Sequence, residues 1–201
     1  MRSPAAQAPL SGNFTWRDEF DAPVPGLDWL YLRVPKTPWA DLRSRPGTLA
    51  IHPLAEGLDT LRNPSFLSRR QQHLVFEAST ALDLPVAGVA AGLAALQSEH
   101  YWYFLGLRRA GNGMEVFLEK KGGDAPTRVV ATRRVAAGAA PKLKIAGNAG
   151  AYSFAFDAGD GRGWQWLQRD DDGTIMSTDV SGGFIGAMLG PYARDERGGT
   201  R

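Results

Sequence analysis

Along Lys142-Leu143-Lys144-Ile145 and Tyr152-Ser153-Phe154-Ala155-Phe156, one residue in two is large and apolar, which is the period of a strand with one buried face. Short runs of the same character recur at Trp29 to Val34, Thr48 to Ile51, His73 to Thr80, Gly88 to Leu96, Tyr101 to Leu107, Glu115 to Leu118 and Arg128 to Arg133. Turn chemistry separates them. Gly111-Asn112-Gly113, Lys121-Gly122-Gly123-Asp124, Gly147-Asn148-Ala149-Gly150 and Gly159-Asp160-Gly161 supply the positive-φ positions that hairpins need. Val86 to Ala95 is Ala-rich, but Gly88 and Gly92 disfavour a helix. It reads as a central strand whose small residues permit close sheet packing. The pattern predicts an all-β sandwich or jelly roll of two antiparallel sheets over residues 14–201, preceded by an Ala/Pro/Gln linker-like tail over residues 1–13.

Strand alternation also sorts the aromatic residues. Tyr101 and Tyr103 share a face opposite Trp102 and Phe104, and Trp164 and Trp166 point the same way. Sugar rings stack on such side chains, which makes Trp102, Trp164 and Trp166 candidate sugar-stacking residues. Whichever face turns inward fills the core instead.

The composition of 43% hydrophobic and 22% charged residues suits one globular domain with a sizeable core. No cysteine is present, so there is no disulfide framework, thiolate nucleophile or Cys-ligated metal. The net charge of +2 has no dense basic run behind it. Arg69-Arg70, Lys120-Lys121 and Arg133-Arg134 are isolated doublets that read as solvated faces rather than a nucleic-acid groove. No window approaches the roughly 20 apolar residues of a membrane span. Met1 to Leu10 has no apolar stretch of signal-peptide length; a cytoplasmic and a secreted location both stay open.

No catalytic constellation stands out. His52, His73 and His100 lack metal-ligand spacing and read as strand or turn residues. There is no Gly-x-Ser-x-Gly elbow. Asp170-Asp171-Asp172-Gly173 lacks the ligand spacing of a calcium loop and reads as an acidic hairpin turn. Asp18, Glu19 and Asp21 cluster near the start of the fold, and Asp195 and Glu196 near its end. They read first as turn and edge chemistry; their alternative use is a structural cation such as calcium joining the two ends, with no other cofactor expected.

Several ordered motifs carry a family resemblance. Leu30-Tyr31-Leu32-Arg33-Val34-Pro35, Trp39 and Arg45-Pro46-Gly47-Thr48-Leu49 resemble the opening of the concanavalin A-like C-terminal sandwich of glycoside hydrolase family 43 β-xylosidases and α-L-arabinofuranosidases. Phe66-Leu67-Ser68-Arg69-Arg70-Gln71-Gln72-His73, Ala91-Gly92-Leu93 and His100-Tyr101-Trp102-Tyr103 follow in that family's order. Gly183-Phe184-Ile185-Gly186-Ala187-Met188-Leu189-Gly190 is similar to its Phe-x-Gly strand. The family's domain continues into a further strand with an Asp-Phe-Asp-aromatic pattern, so that closing strand is expected to be absent or replaced here.

The resemblance implies a noncatalytic domain that packs on a five-bladed propeller holding the catalytic carboxylates, in enzymes that hydrolyse xylan- or arabinoxylan-derived oligosaccharides. It carries an active-site rim role to Phe184, whose alternative is one more core ring at a strand start. Arg69 and Arg70 point to opposite faces, and one of them suits a domain interface. Two other readings stay open: a free-standing lectin-like module that binds carbohydrate, and a split subunit that completes a separate propeller.

Overall fold

The computed structural model describes residues 14–136 and 140–197; the linker-like tail lies outside them. The strands are β1 (Leu30–Tyr31), β2 (Ala40–Asp41), β3 (Ala50–Ile51), β4 (Ser65–Arg70), β5 (Val75–Ala81), β6 (Val89–Ser98), β7 (Tyr101–Ala110), β8 (Gly113–Gly122), β9 (Arg128–Ala136), β10 (Lys142–Asn148), β11 (Ala151–Asp157), β12 (Gln165–Asp172) and β13 (Met188–Asp195). A seven-stranded sheet in the order β1-β4-β13-β6-β7-β8-β9 faces a four-stranded sheet in the order β12-β11-β10-β5, and β2 and β3 form a small ribbon. Pairing in both large sheets is antiparallel. The expected all-β sandwich of two antiparallel sheets is the fold of this chain.

The runs read from the sequence locate β5 through β11 of the two large sheets and do not mark β4 or β12. Ser65-Phe66-Leu67-Ser68 in β4 is buried on both sides, so it shows no alternation. Gln165-Trp166-Leu167-Gln168-Arg169-Asp170-Asp171-Asp172 in β12 is too polar to read as a strand. The run Trp29 to Val34 pairs only at Leu30 and Tyr31. The segment from Leu30 to Arg62 instead spreads across the outer face of the larger sheet, where Leu30, Leu32 and Leu58 cover Phe66, Trp102, Phe104, Phe117 and Tyr192.

The strands β4, β6, β7 and β8 of the larger sheet are therefore buried on both faces. Its inner face presents Tyr103, Leu105 and Leu118 to Leu143, Ile145, Phe154 and Phe156 of the smaller sheet. Each such ring or branched chain contributes about 1.5–3 kcal/mol of burial free energy. The sheets approach closely around Gly92, where an added Cβ would lie 2.8 Å from Leu143 Cδ1 of the smaller sheet. Tyr101 through Phe104 thus serve two cores, with Trp102 and Phe104 turned to the outer one.

A sheltered polar cluster crosses the sandwich. Lys120 Nζ lies 2.6 Å from Asp171 Oδ1, and the Tyr103 hydroxyl donates to the same oxygen at 2.9 Å and to the Asp172 carbonyl at 3.0 Å. Burial pushes the Asp171 carboxyl up, but the hydrogen bonds from Lys120 and Tyr103 hold it below its ordinary value. This corrects two expectations. Lys120 is not on a solvated face, and Asp171 is not a turn carboxylate; together they clasp the end of β12 to β7 and β8.

Candidate functional site

The connections β4–β5, β6–β7, β8–β9, β10–β11 and β12–β13 lie at one end of the sandwich, as the registers Arg70↔Met188, Met188↔Leu96, Tyr101↔Gly122 and Asn148↔Val75 require. The longest of them leaves β12 through a 3-10 turn, Gly173–Met176, which Asp172 caps by accepting from the Thr174 amide. Ser177 then caps the short helix α1, Thr178–Ser181, through the Asp179 amide. Gly182 and Gly183 take φ of 71° and 81°, the left-handed region that glycine enters without strain. They turn the chain outward and leave Phe184 105% exposed.

Phe184 is therefore not a core ring, and the strand expected from Gly183 begins only at Met188. Two contacts fix the loop behind the ring. Buried Gln97, on the inner face of β6, donates from Nε2 to the Ile185 carbonyl at 2.7 Å. The Gln71 amide donates to the Ala187 carbonyl at 2.9 Å. Gln71 is itself held, because its Oε1 accepts from the Tyr152 hydroxyl and its Nε2 donates to the His73 carbonyl. Phe14 stacks on His73 with centroids 4.8 Å apart. Phe14, Leu74, Val75, Phe184 and Ile185 are all exposed apolar side chains of this end.

Arg69 and Arg70 follow β4 toward the same end and diverge as strand geometry requires. The Arg69 guanidinium lies 3.5 Å over the Trp16 ring, with Nη2 3.8 Å from Asp28. It anchors the N-terminal segment within the chain. Arg70 is exposed and makes no ion pair among the described residues. The partnership of Arg69 with Trp16 had no local sequence signal, since more than fifty residues separate them.

Trp102 is buried against Phe66 and Phe104 and offers no face to a ligand. Trp164 and Trp166 are on the outer face of the smaller sheet, 41% and 38% exposed. The acidic clusters near the two ends of the fold do not converge. Asp18 accepts from the Phe20 amide and from Trp29 Nε1. Asp195 pairs with Arg197, and Glu196 with Arg108 and Arg194. Among the described residues no three His, Asp or Glu side chains come together as metal ligands. Among the described residues these carboxylates do turn and ion-pair chemistry. His52, His73 and His100 all lie outside regular strands.

Comparisons with known proteins give the same fold a lineage. The family model of the β-xylosidase C-terminal concanavalin A-like domain matches residues 17–201. The non-reducing end alpha-L-arabinofuranosidase BoGH43B of Bacteroides ovatus is 30% identical over 181 residues, covering 88% of this chain and 33% of that protein. Among solved structures, a GH43_12 protein retrieved from capybara gut metagenome superposes with TM-score 0.84 at 26% identity over 92% of this chain and 35% of its own. The xylan beta-1,4-xylosidase of Bacillus halodurans C-125 gives 0.80 at 25% identity over 94% of this chain and 38% of its own. The chain thus spans between 33% and 38% of the length of these relatives. With ordered motifs, sandwich topology and these likenesses in agreement, the chain belongs to the family of C-terminal concanavalin A-like domains of glycoside hydrolase family 43 xylosidases and arabinofuranosidases.

Proposed function

We propose that this chain is a noncatalytic sandwich that packs on a family 43 propeller and shapes the rim of its active site, in hydrolysis of xylan- or arabinoxylan-derived oligosaccharides. The observation that carries the reading is Phe184, a large apolar ring held fully in solvent by two positive-φ glycines and a buried glutamine. A single exposed apolar residue is ordinary. One braced from behind by Gln97 and Gln71, at an end that also exposes Phe14, Leu74 and Ile185, suits a ring meant to meet another surface. Arg70 brings an uncommitted guanidinium to the edge of that end, able to pair with a partner carboxylate.

In this reading the propeller supplies the acid and base carboxylates, one protonating the leaving oxygen and the other activating water. The sandwich supplies no proton transfer. Phe184 closes part of the pocket mouth, limits its depth and favours short substrates cleaved from one end. Against aryl β-xyloside and aryl α-arabinofuranoside the purified chain alone is expected to be inactive. Mixed with a family 43 propeller stripped of its own sandwich, it is expected to raise activity. Phe184→Ala should preserve the association and shift the preference for short over long oligosaccharides by roughly tenfold, the scale of one apolar contact in a specificity pocket. Hydrolysis by the chain alone, or an unchanged preference in Phe184→Ala, overturns the proposal.

A further inference from the structure

The outer face of the smaller sheet carries a second feature, independent of the Phe184 end. The register Gln165↔Phe156 puts Trp164 at the opposite end of the sandwich, and Trp166 lies beside Ala155 in midsheet. Alternation places Glu77, Ser79, Lys144, Ala146, Ser153 and Ala155 on this same solvent-facing surface. Two of these outward positions are covered all the same. Ala155 is buried, and the Lys144 side chain is only 16% exposed. Lys144 is covered by an aromatic ring: its Nζ lies 4.6 Å from the Trp164 ring centroid, over its face. Trp164 thus has its ring engaged by the ammonium and still keeps 41% of its surface exposed. Arg169 packs at 4.6 Å on the Trp166 ring and is itself exposed, so that its planar donors border the same surface.

The charges decide what kind of ligand this surface takes. Lys144 is committed to Glu77 Oε2 at 3.1 Å as well as to Trp164. Glu77, Asp157 and Asp170 face the same side as the tryptophans together with Lys142, Lys144 and Arg169, so the surface carries balanced charge. A polyanion gains no net attraction from such a balanced surface, whereas a phosphate-tracking groove needs an excess of free cations. A neutral chain of sugar rings meets an aromatic plane for its C–H face, small residues that let it approach, and paired ionic groups that exchange hydrogen bonds with hydroxyls. We propose that the outer face of the smaller sheet, built on Trp164 and Trp166 with Lys144, Glu77 and Arg169 at their side, is a binding platform for a neutral, extended polysaccharide chain.

The family assignment selects xylan as the probe, and the platform does not depend on docking of the Phe184 end. The test is retardation of the whole chain in gels containing arabinoxylan, with calorimetric titration of xylohexaose. Wild-type protein is expected to bind, Trp164→Ala to bind roughly tenfold more weakly and Trp164→Ala/Trp166→Ala to show no measurable affinity. Phe184→Ala should bind as wild type, which separates this platform from the rim. As a readout that needs no variant, xylohexaose is expected to protect the peptide containing Trp164 and Trp166 from N-bromosuccinimide oxidation, mapped by mass spectrometry. Absence of binding by the wild-type chain, equal binding by the double variant, failure of protection, or preference for a polyanion such as heparin over arabinoxylan would each overturn the proposal.

Discussion

Replacing Lys120 by methionine removes one half of the contact that clasps the two sheets. The pair is close and sheltered: 2.6 Å between Nζ and Oδ1, with the side chains of Lys120 and Asp171 10% and 14% exposed. A carboxylate deprived of its ammonium at such a site loses about 3–5 kcal/mol. Here the loss belongs at the low end, because Asp171 keeps the Tyr103 hydroxyl and the Asp172 amide as donors. About 3 kcal/mol in a domain of this size corresponds to a fall in Tm of roughly 6–12 °C. Lys120→Met/Asp171→Leu removes both charges and should recover most of that loss, since a buried pair replaced by apolar residues is often neutral or stabilising. The Tyr103 hydroxyl then still has the Asp172 carbonyl to accept its proton. Urea unfolding at pH 7, followed by tryptophan fluorescence for the wild type, both single variants and the double variant, gives the coupling energy directly. A cost below about 1 kcal/mol for Lys120→Met, or a double variant no more stable than the single one, would refute the reasoning that this is a buried pair with an uncompensated remnant.

The same carboxyl gives a pH dependence of definite sign. Asp171 is held below the ordinary aspartate value of 3.8 in the folded state, so its contribution is present above 3.8 and is lost as pH falls through the lower folded value. Chemical denaturation between pH 5 and pH 2 should show an acid loss in the wild type that is reduced in Asp171→Asn; parallel curves would remove Asp171 from the cause. Gln97→Met should free the Ile185 carbonyl that Gln97 now holds at 2.7 Å. Because the Gln97 Oε1 is buried without a partner, its removal offsets part of the lost bond, and global stability should change by less than about 1 kcal/mol. Hydrogen exchange should nonetheless quicken across residues 182–187, and an unchanged loop would show that Gln97 does not position Phe184.

The sequence by itself determined the sandwich, because period-two alternation survives wherever a strand has one face in the core and one in water. Lys142 to Ile145 and Tyr152 to Phe156 fall in that class, as do the turns built on Gly111-Asn112-Gly113 and Gly147-Asn148-Ala149-Gly150. The order of motifs determined the family as well. Alternation fades where both faces are buried: β6, β7 and β8 still read as apolar runs, but the short β4 does not, and the mostly polar β12 carries no apolar signal. It also cannot tell an inner core from an outer one, so only the fold decided that Trp102 is covered by the segment from Leu30 to Arg62 while Trp164 and Trp166 stay exposed. The fold alone brought Lys120 to Asp171 and Arg69 to Trp16, pairs distant in the chain with no local spacing to announce them. Phe184 shows the same division. Its motif is legible in one dimension, but whether the ring points into a core or into solvent depends on backbone dihedrals at Gly182 and Gly183 and on a glutamine from a strand more than eighty residues away.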